Sequence, residues 1–398
     1  MARVLYISYD GMLEPLGESQ VAACLERLAG RHAITLVSYE KRADLADRGR
    51  LAAMRARLER GGIEWAPLRY HKRPTVPATA YDAARGLVRG MRTIRRRGID
   101  LVHARSYVPA MMALALKRLT GARFIFDMRG LWPDEKVAAG DWRQDGLLYR
   151  TAKAFERGFL LEADAVVSLT HAAVEALRGS PMLRGRAVRF EVIPTCVDPA
   201  LFRAGAAAGP RPFTLGYLGS VGGRYRFDAV LDCFQQLRAL RPEARLRIIN
   251  RGGHAAIRET LRDRGVPDDC VELSAEDRPG VARALGGVDA GVLFYRAGVS
   301  TLGTAPTRLG ELLASGIPCL ANAGVGDVER VLEGEGVGVV LRDFTAEAEA
   351  RAVRRLAELA GQPDVRRRCA DVAQRMFSLD QAADRYDNLY RSLNGRHA

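Results

Sequence analysis

The stretch APTRLGELLASGIPCLAN (305–322) sets Pro306, Thr307, Arg308 and Glu311 at the entrance of a short apolar helix. A helix entrance carries unpaired N–H groups and partial positive charge, so with Arg308 beside it the position suits an anion. Glu311, one turn further in, would repel that anion unless it holds a neutral part of the same ligand, such as sugar hydroxyls. Phosphate together with hydroxyls describes a nucleotide or a nucleotide sugar. A second candidate phosphate site is GSVGGRYR (219–226). Its Gly219, Gly222 and Gly223 free backbone N–H groups for phosphate oxygens, and Arg224 or Arg226 adds charge-assisted contacts. It has neither the GK[ST] ending of a P-loop nor GxGxxG spacing.

The first half of the chain offers three further stretches. YDGMLEPLGES (9–19) is longer than an ordinary turn, and its Gly11 and Gly17 serve either as turn formers or for backbone approach to phosphate. HARS (103–106) places His103 at a strand end, where a core hydrogen bond competes with catalysis. DMRGLWPDE (127–135) gathers Asp127, Arg129, Asp134 and Glu135. Acids beside an arginine can bind hydroxyls, place a base or hold leaving-group charge; the alternative is a surface ion-pair loop.

These residues need elements to hold them. Strand-like runs at 3–9, 33–39, 99–104, 122–127, 164–169 and 189–194 alternate with helical segments, the βαβ signature of a parallel sheet. RAGAAAGPRP (203–212) reads as a linker, after which strand-like runs resume at 213–219, 245–250, 269–274, 289–295, 317–322 and 336–341. The expectation is α/β, with a first domain over 1–203, a second over 204–378, and a closing helix over 379–398 that packs back on the first. In open parallel sheets ligands sit beyond the carboxyl ends of the strands, and the candidate residues cluster there.

Composition narrows the classes. A chain of 398 residues, 48% hydrophobic, exceeds one ordinary core. Six scattered cysteines without a CxxC pair argue against zinc ribbons and disulfide scaffolds. The N-terminal MARVLYISYDGM enters a strand directly and no apolar run reaches the ~18 residues of a membrane span, so a cytoplasmic protein is expected. The formal charge is +14, but only five of 61 basic residues are lysine, which reflects coding bias as much as a nucleic-acid partner. More informative is the helix expected at about 79–97, where Arg85, Arg89, Arg92 and Arg96 form a stripe while Ala84, Val88, Met91 and Ile94 lie mainly on other faces. It is either a solvated face or one for an anionic membrane or acidic acceptor.

Taken together, the Gly loop after the first strand, GYLGSVGG, IPTCVD (193–198) and APTRLGELLASGIPCLANAGVGDVE (305–329) resemble the family-4 (group 1) retaining glycosyltransferases of the GT-B fold. The resemblance implies two Rossmann-like domains with a donor/acceptor cleft between them, and transfer of a sugar from a nucleoside diphosphate sugar to an acceptor hydroxyl with retention. It implies that the diphosphate meets the helix entrance, with Gly303, Thr304, Pro306, Thr307 and Arg308, and that Glu311 takes the ribose. Gly17, Gly219, Ser220, Gly222 and Gly223 complete the expected donor set, and Arg129, Asp127, His103, Arg224 and Arg308 the catalytic one. Three features depart from the family: Gly303 stands where the first glutamate of an E-x7-E pair is usual, Ser220 where an arginine follows the strand glycine, and Arg129 nearest a common histidine. With arginines to hold the leaving group, no metal or other cofactor is expected. The partners implied are a nucleotide sugar and an acceptor glycan, glycolipid or small molecule, in bacterial glycan synthesis, with a possible anionic membrane surface and no nucleic acid. Other readings are a non-catalytic sugar-nucleotide-binding subunit or a GT-B epimerase. A pyridoxal-phosphate phosphorylase is opposed by a second domain without lysine.

Overall fold

A computed structural model describes residues 1–205 and 211–394. The chain divides into two compact units, Met1–Pro194 with the closing segment from Leu379, and Thr195–Ser378. The division falls earlier than the Ala/Gly/Pro stretch, whose residues 206–210 lie outside the described ones. The reason is bonding. Thr195 Oγ1 donates to the Ala305 carbonyl (2.9 Å) and Val197 N–H to the Phe377 carbonyl (2.7 Å), so the segment after Pro194 is already tied to the second unit.

The first unit contains β1 (Arg3–Ser8), β2 (Ala33–Glu40), β3 (Ile63–Arg69), β4 (Leu101–Arg105), β5 (Arg123–Asp127), β6 (Ala165–Ser168) and β7 (Phe190–Val192). They pair in the order β3-β2-β1-β4-β5-β6-β7, all parallel. The second contains β8 (Thr214–Leu218), β9 (Arg245–Ile249), β10 (Val271–Ser274), β11 (Ala290–Leu293), β12 (Cys319–Asn322) and β13 (Gly338–Leu341), in the order β10-β9-β8-β11-β12-β13, again parallel. Both sheets reverse their strand order beside their first strand, which puts the β1/β4 and β8/β11 ends at switch points.

The central strands are apolar on both sides because helices cover both faces. In the second unit, Leu215 and Tyr217 pack with Phe234 and Leu356, while Leu218 packs with Leu309 and Phe377 in a separate cluster. β3, which the strand-like runs did not include, carries Pro67 and pairs with β2 alone. An edge strand tolerates a residue that cannot donate to the ladder.

The closing helix Leu379–Asn394 buries Tyr386, Leu389, Tyr390 and Leu393 within the first unit and is anchored by Arg31 to Asp384 (2.6 Å) and Asp387 (3.0 Å). The basic helix runs Thr75–Arg97, and its inner face differs from the sequence expectation. Ala78, Asp82, Gly86, Gly90, Thr93 and Ile94 are buried, whereas Ala84 and Val88 are exposed beside Arg89, Arg92 and Arg96. Gly86 and Gly90 explain this: a Cβ there would lie 2.1 Å from Tyr39 Oη or 2.7 Å from Leu116 Cδ1, so small residues form the packing seam. Among the described residues no helix is long and apolar enough to cross a membrane, and the six cysteines are buried and form no disulfide.

Candidate functional site

In the second unit the switch point is built around Arg308. The helix Thr307–Ala314 starts after Pro306, which cannot donate a backbone bond and so ends the preceding turn cleanly. Arg308 is only 7% exposed. Its Nη1 donates to the Leu218 carbonyl at the end of β8 (2.8 Å) and its Nε to the Tyr295 hydroxyl (3.3 Å). The guanidinium carbon lies 4.3, 5.0 and 5.7 Å from the rings of Tyr225, Tyr295 and Tyr217. Three aromatic faces thus hold a cation out of water at little cost. Its Nη2 has no hydrogen-bond partner among the described residues.

Gly219 follows β8 at φ 116°, where a side chain would be strained and its Cβ would lie 3.1 Å from Arg308 Nη1. Asn250 at the end of β9 fixes this turn, donating from Nδ2 to the Gly219 carbonyl (2.8 Å). Gly222 and Gly223 also have positive φ and are exposed with Ser220 and Arg224. Of the two candidate arginines, Arg224 lies over Tyr225 and Tyr295, both rings at 5.7 Å, so it shares the aromatic group of Arg308. Arg226 does not; its guanidinium sits 3.7 Å above Phe344.

Glu311 has 12% of its side chain exposed, with Arg278 Nη1 3.6 Å from Oε1. Burial raises its pKa, making it a weaker acid, against the opposing pull of Arg278, Arg308 and Arg251. Gly303 ends the short turn Val299–Gly303. The Thr304 N–H is taken by the Thr301 carbonyl (3.0 Å), and Thr301 Oγ1 donates to the Gly324 carbonyl (2.8 Å). The donor set expected around the helix entrance therefore loses the Thr304 backbone N–H.

In the first unit, Asp127 ends β5 fully buried. Tyr386 donates to its Oδ2 (3.2 Å), His103 Nε2 is 3.5 Å from the same oxygen, Arg105 Nη1 is 3.8 Å away, and Arg129 Nη1 stands 3.7 Å from Oδ1. Burial alone would raise the carboxyl, but Arg129, His103 and Arg105 together hold it down at about 2. A carboxylate that acidic is a poor proton acceptor and well suited to accepting hydrogen bonds as a fixed anion. Arg129 adopts φ 57°, an unusual conformation for a non-glycine residue that sets its side chain back toward Asp127.

His103 does not stand at a surface. It is 1% exposed, with Nδ1 2.7 Å from the Tyr390 hydroxyl and Nε2 facing Asp127, and burial holds its basicity down. Both ring nitrogens are engaged, Nδ1 by the Tyr390 hydroxyl and Nε2 by the Asp127 carboxylate. Asp134 is likewise committed, receiving bonds from Tyr149 (2.8 Å) and Lys153 (3.1 Å) that join its helix to the next. Gly17 packs against Gly11, whose carbonyl oxygen would lie 1.9 Å from any Cβ. The loop they share is held by buried Glu40, which accepts from Met12 N–H (2.9 Å) and Leu13 N–H (3.3 Å). Gly17 is required by this close packing.

Sequence reasoning missed the three tyrosines around Arg308, Asn250, Arg278, Arg105 and Glu40. Arg105 and Asn250 carried a usable signal, a polar residue at the carboxyl end of an apolar strand. The tyrosines of the cage lie 8, 70 and 13 residues apart from their neighbours in no motif, and only the fold joins them: Tyr217 to Tyr225, Tyr225 to Tyr295, Tyr295 to Arg308.

Residues 18–196 match the family model described as a glycosyl transferase 4-like domain. Among solved structures, the chain is similar to sucrose-phosphate synthase from Thermosynechococcus elongatus, with 15% identity, a TM-score of 0.69 and 100% of both chains covered. It is also similar to a glycosyltransferase from Rickettsia africae (12%, TM-score 0.70, 99% of each chain). A third is HepE of Anabaena in complex with UDP (13%, TM-score 0.68, 98% of this chain and 100% of that one). No curated protein sequence matches. Residues 18–196 are therefore similar to a glycosyl transferase 4-like domain, and the chain, folded as two parallel-sheet units, has the GT-B fold.

Proposed function

We propose that the protein transfers a sugar from a nucleoside diphosphate sugar to an acceptor hydroxyl, with retention of anomeric configuration, in the assembly of a bacterial glycan or glycoconjugate. The observation that carries the donor half is Arg308: a buried guanidinium with an uncommitted Nη2, set beside the Gly219 turn and at the start of an eight-residue helix. A diphosphate would use that N–H, the helix entrance and Arg224, while Glu311 takes the ribose hydroxyls. HepE has been solved with UDP and with UDP-glucose, which supports a nucleotide sugar as the donor here. Retention rests on the family resemblance. The charge on the leaving diphosphate is met by arginine and backbone dipoles in this scheme, which asks for no metal.

A thermal-shift screen with UDP, GDP, ADP and dTDP tests the donor half. One of them should stabilise the protein, and Glu311→Ala should weaken that nucleotide by ~1–3 kcal/mol, as for loss of hydrogen bonds to a charged group. Equal affinity in the variant would remove Glu311 from the ribose.

The acceptor side of the proposal places the protein on an anionic cytoplasmic leaflet. On the helix Thr75–Arg97, Val76 (59% exposed) and Val88 (50%) accompany exposed Arg89, Arg92 and Arg96. Exposed apolar groups interleaved with arginine suit a lipid surface better than charge alone does. Sedimentation with phosphatidylglycerol vesicles should carry the protein down at low salt, and changing Arg85, Arg89, Arg92 and Arg96 to glutamine should leave it in the supernatant. Equal recovery with neutral and anionic vesicles would favour a soluble acceptor.

A further inference from the structure

Away from Asp127, the first unit holds a second buried carboxylate with a histidine on it. Asp82, on the helix Thr75–Arg97, is 0% exposed. Its Oδ2 accepts from the Tyr9 hydroxyl (3.0 Å) and from the His71 backbone N–H (2.9 Å), and its Oδ1 lies 2.6 Å from His71 Nδ1. Tyr9 follows β1 and His71 follows β3 by one residue beyond Tyr70, so the group sits at the carboxyl ends of the sheet, where ligands bind in this architecture.

The two bonds to Oδ2 already fix the chain. The third fixes the imidazole. An ionised carboxylate only accepts, so Nδ1 carries the proton and Nε2 presents its lone pair. His71 keeps 28% of its side chain exposed, and Nε2 has no partner among the described residues. Beside it stands Tyr81, edge-on to the imidazole with ring centroids 5.2 Å apart and an interplanar angle of 81°. That ring is 55% exposed and backed by Arg85, whose guanidinium carbon is 5.7 Å from its centre. An oriented nitrogen acceptor next to an exposed aromatic face is the pairing that recognises a pyranose: a ring hydroxyl donates to the nitrogen and the C–H face of the sugar lies on the aromatic ring.

We propose that His71, oriented by Asp82 and flanked by Tyr81, forms a pyranose-binding subsite that accepts a hydrogen bond from a hydroxyl of the sugar acceptor. The proposal rests on the glycosyl-transfer reading for calling that sugar the acceptor, but the subsite itself needs no nucleotide. His71 is a positioning residue here, holding the sugar ring through one hydroxyl.

The test uses the full chain with histidine labelled at Cε1 and three probes, the methyl α-glycosides of glucose, mannose and galactose. The His71 resonance should move saturably with at least one of them. Saturation transfer to that glycoside should disappear in His71→Phe and weaken several-fold in Tyr81→Ala, two changes at partly exposed positions that leave Asp82 its other bonds. Asp82→Asn should shift the imidazole to the other tautomer and lose the same signal. No response to any of the three glycosides, or unchanged saturation transfer in His71→Phe, would overturn the proposal. The nucleotide screen run in parallel separates the two readings: glycoside binding without any nucleotide response leaves the subsite standing and sinks the donor assignment.

Discussion

Arg308→Ala should reduce turnover by about 100-fold or more, the effect seen when one pre-set donor to a developing oxyanion is lost. The same change should lower stability by about 3 kcal/mol. The stability loss follows from the local bonds. Without the guanidinium, the Leu218 carbonyl loses its Nη1 donor, the Tyr295 hydroxyl loses Nε, and the space between three tyrosine rings is left open. Arg308→Lys separates the two roles. Lysine keeps the charge but cannot bond Leu218, reach Tyr295 and keep a further planar N–H for a ligand. It should therefore recover most of the stability and little of the turnover. The measurements are denaturant unfolding, and steady-state turnover with whichever nucleotide sugar corresponds to the nucleotide that stabilises the protein. A lysine variant with wild-type turnover would reduce Arg308 to a structural cation.

Asp127→Ala should cost about 3–5 kcal/mol, because it leaves the buried Arg105 facing an empty site with only the half-exposed Asp10 near its Nε (3.2 Å). Asp127→Asn keeps the shape and removes the charge. Its expected cost is about 2–3 kcal/mol, from a carboxyl moved from 3.8 to about 2 at roughly 1.4 kcal/mol per unit. The sign is that of a depressed acid: the stabilisation is present above pH 3.8 and is lost as pH falls through about 2. The wild type should lose more stability than the asparagine variant in unfolding curves taken between pH 4 and pH 2, since other depressed carboxyls such as Glu162 and Asp387 titrate in both. His103 and His32 act at higher pH in the same direction, since burial favours their neutral forms and folding must give way as they are charged. Equal stability of wild type and Asp127→Asn at pH 7 would show that the arginines do not depend on this anion.

Much of this architecture was legible because parallel strands buried on both faces leave continuous apolar runs, as in RVLYIS or DAGVLF. The edge strand IEWAPLR escaped because Pro67 interrupts the pattern and an edge does not forbid it. Arg308 and Glu311 could be singled out because helix-entrance chemistry is local. Their surroundings could not, since Tyr217, Tyr225 and Tyr295 are brought together by strand order. The surroundings of His103 were hidden for a related reason. Its strand-end position was visible, but the group that covers it, Tyr390, is 287 residues away in sequence. The arginine stripe was visible too, whereas the inner face of the same helix was hidden by using Gly86 and Gly90 where a larger apolar residue is usual.

That distance of 287 residues has a further meaning. Topologically, the second unit is an insertion: the chain leaves the first unit at Pro194 and returns to it at Leu379. On the ribosome, Asp127 and His103 emerge long before Tyr386 and Tyr390 are synthesised, so the first unit waits with a buried ionic cluster uncovered while the uninterrupted second unit is free to fold. The segment made after the second unit thus closes the unit made before it. An equivalent consequence holds for unfolding under force: pulling from the end of the helix Leu379–Asn394 would strip Tyr386 and Tyr390 from the first unit before the second is loaded.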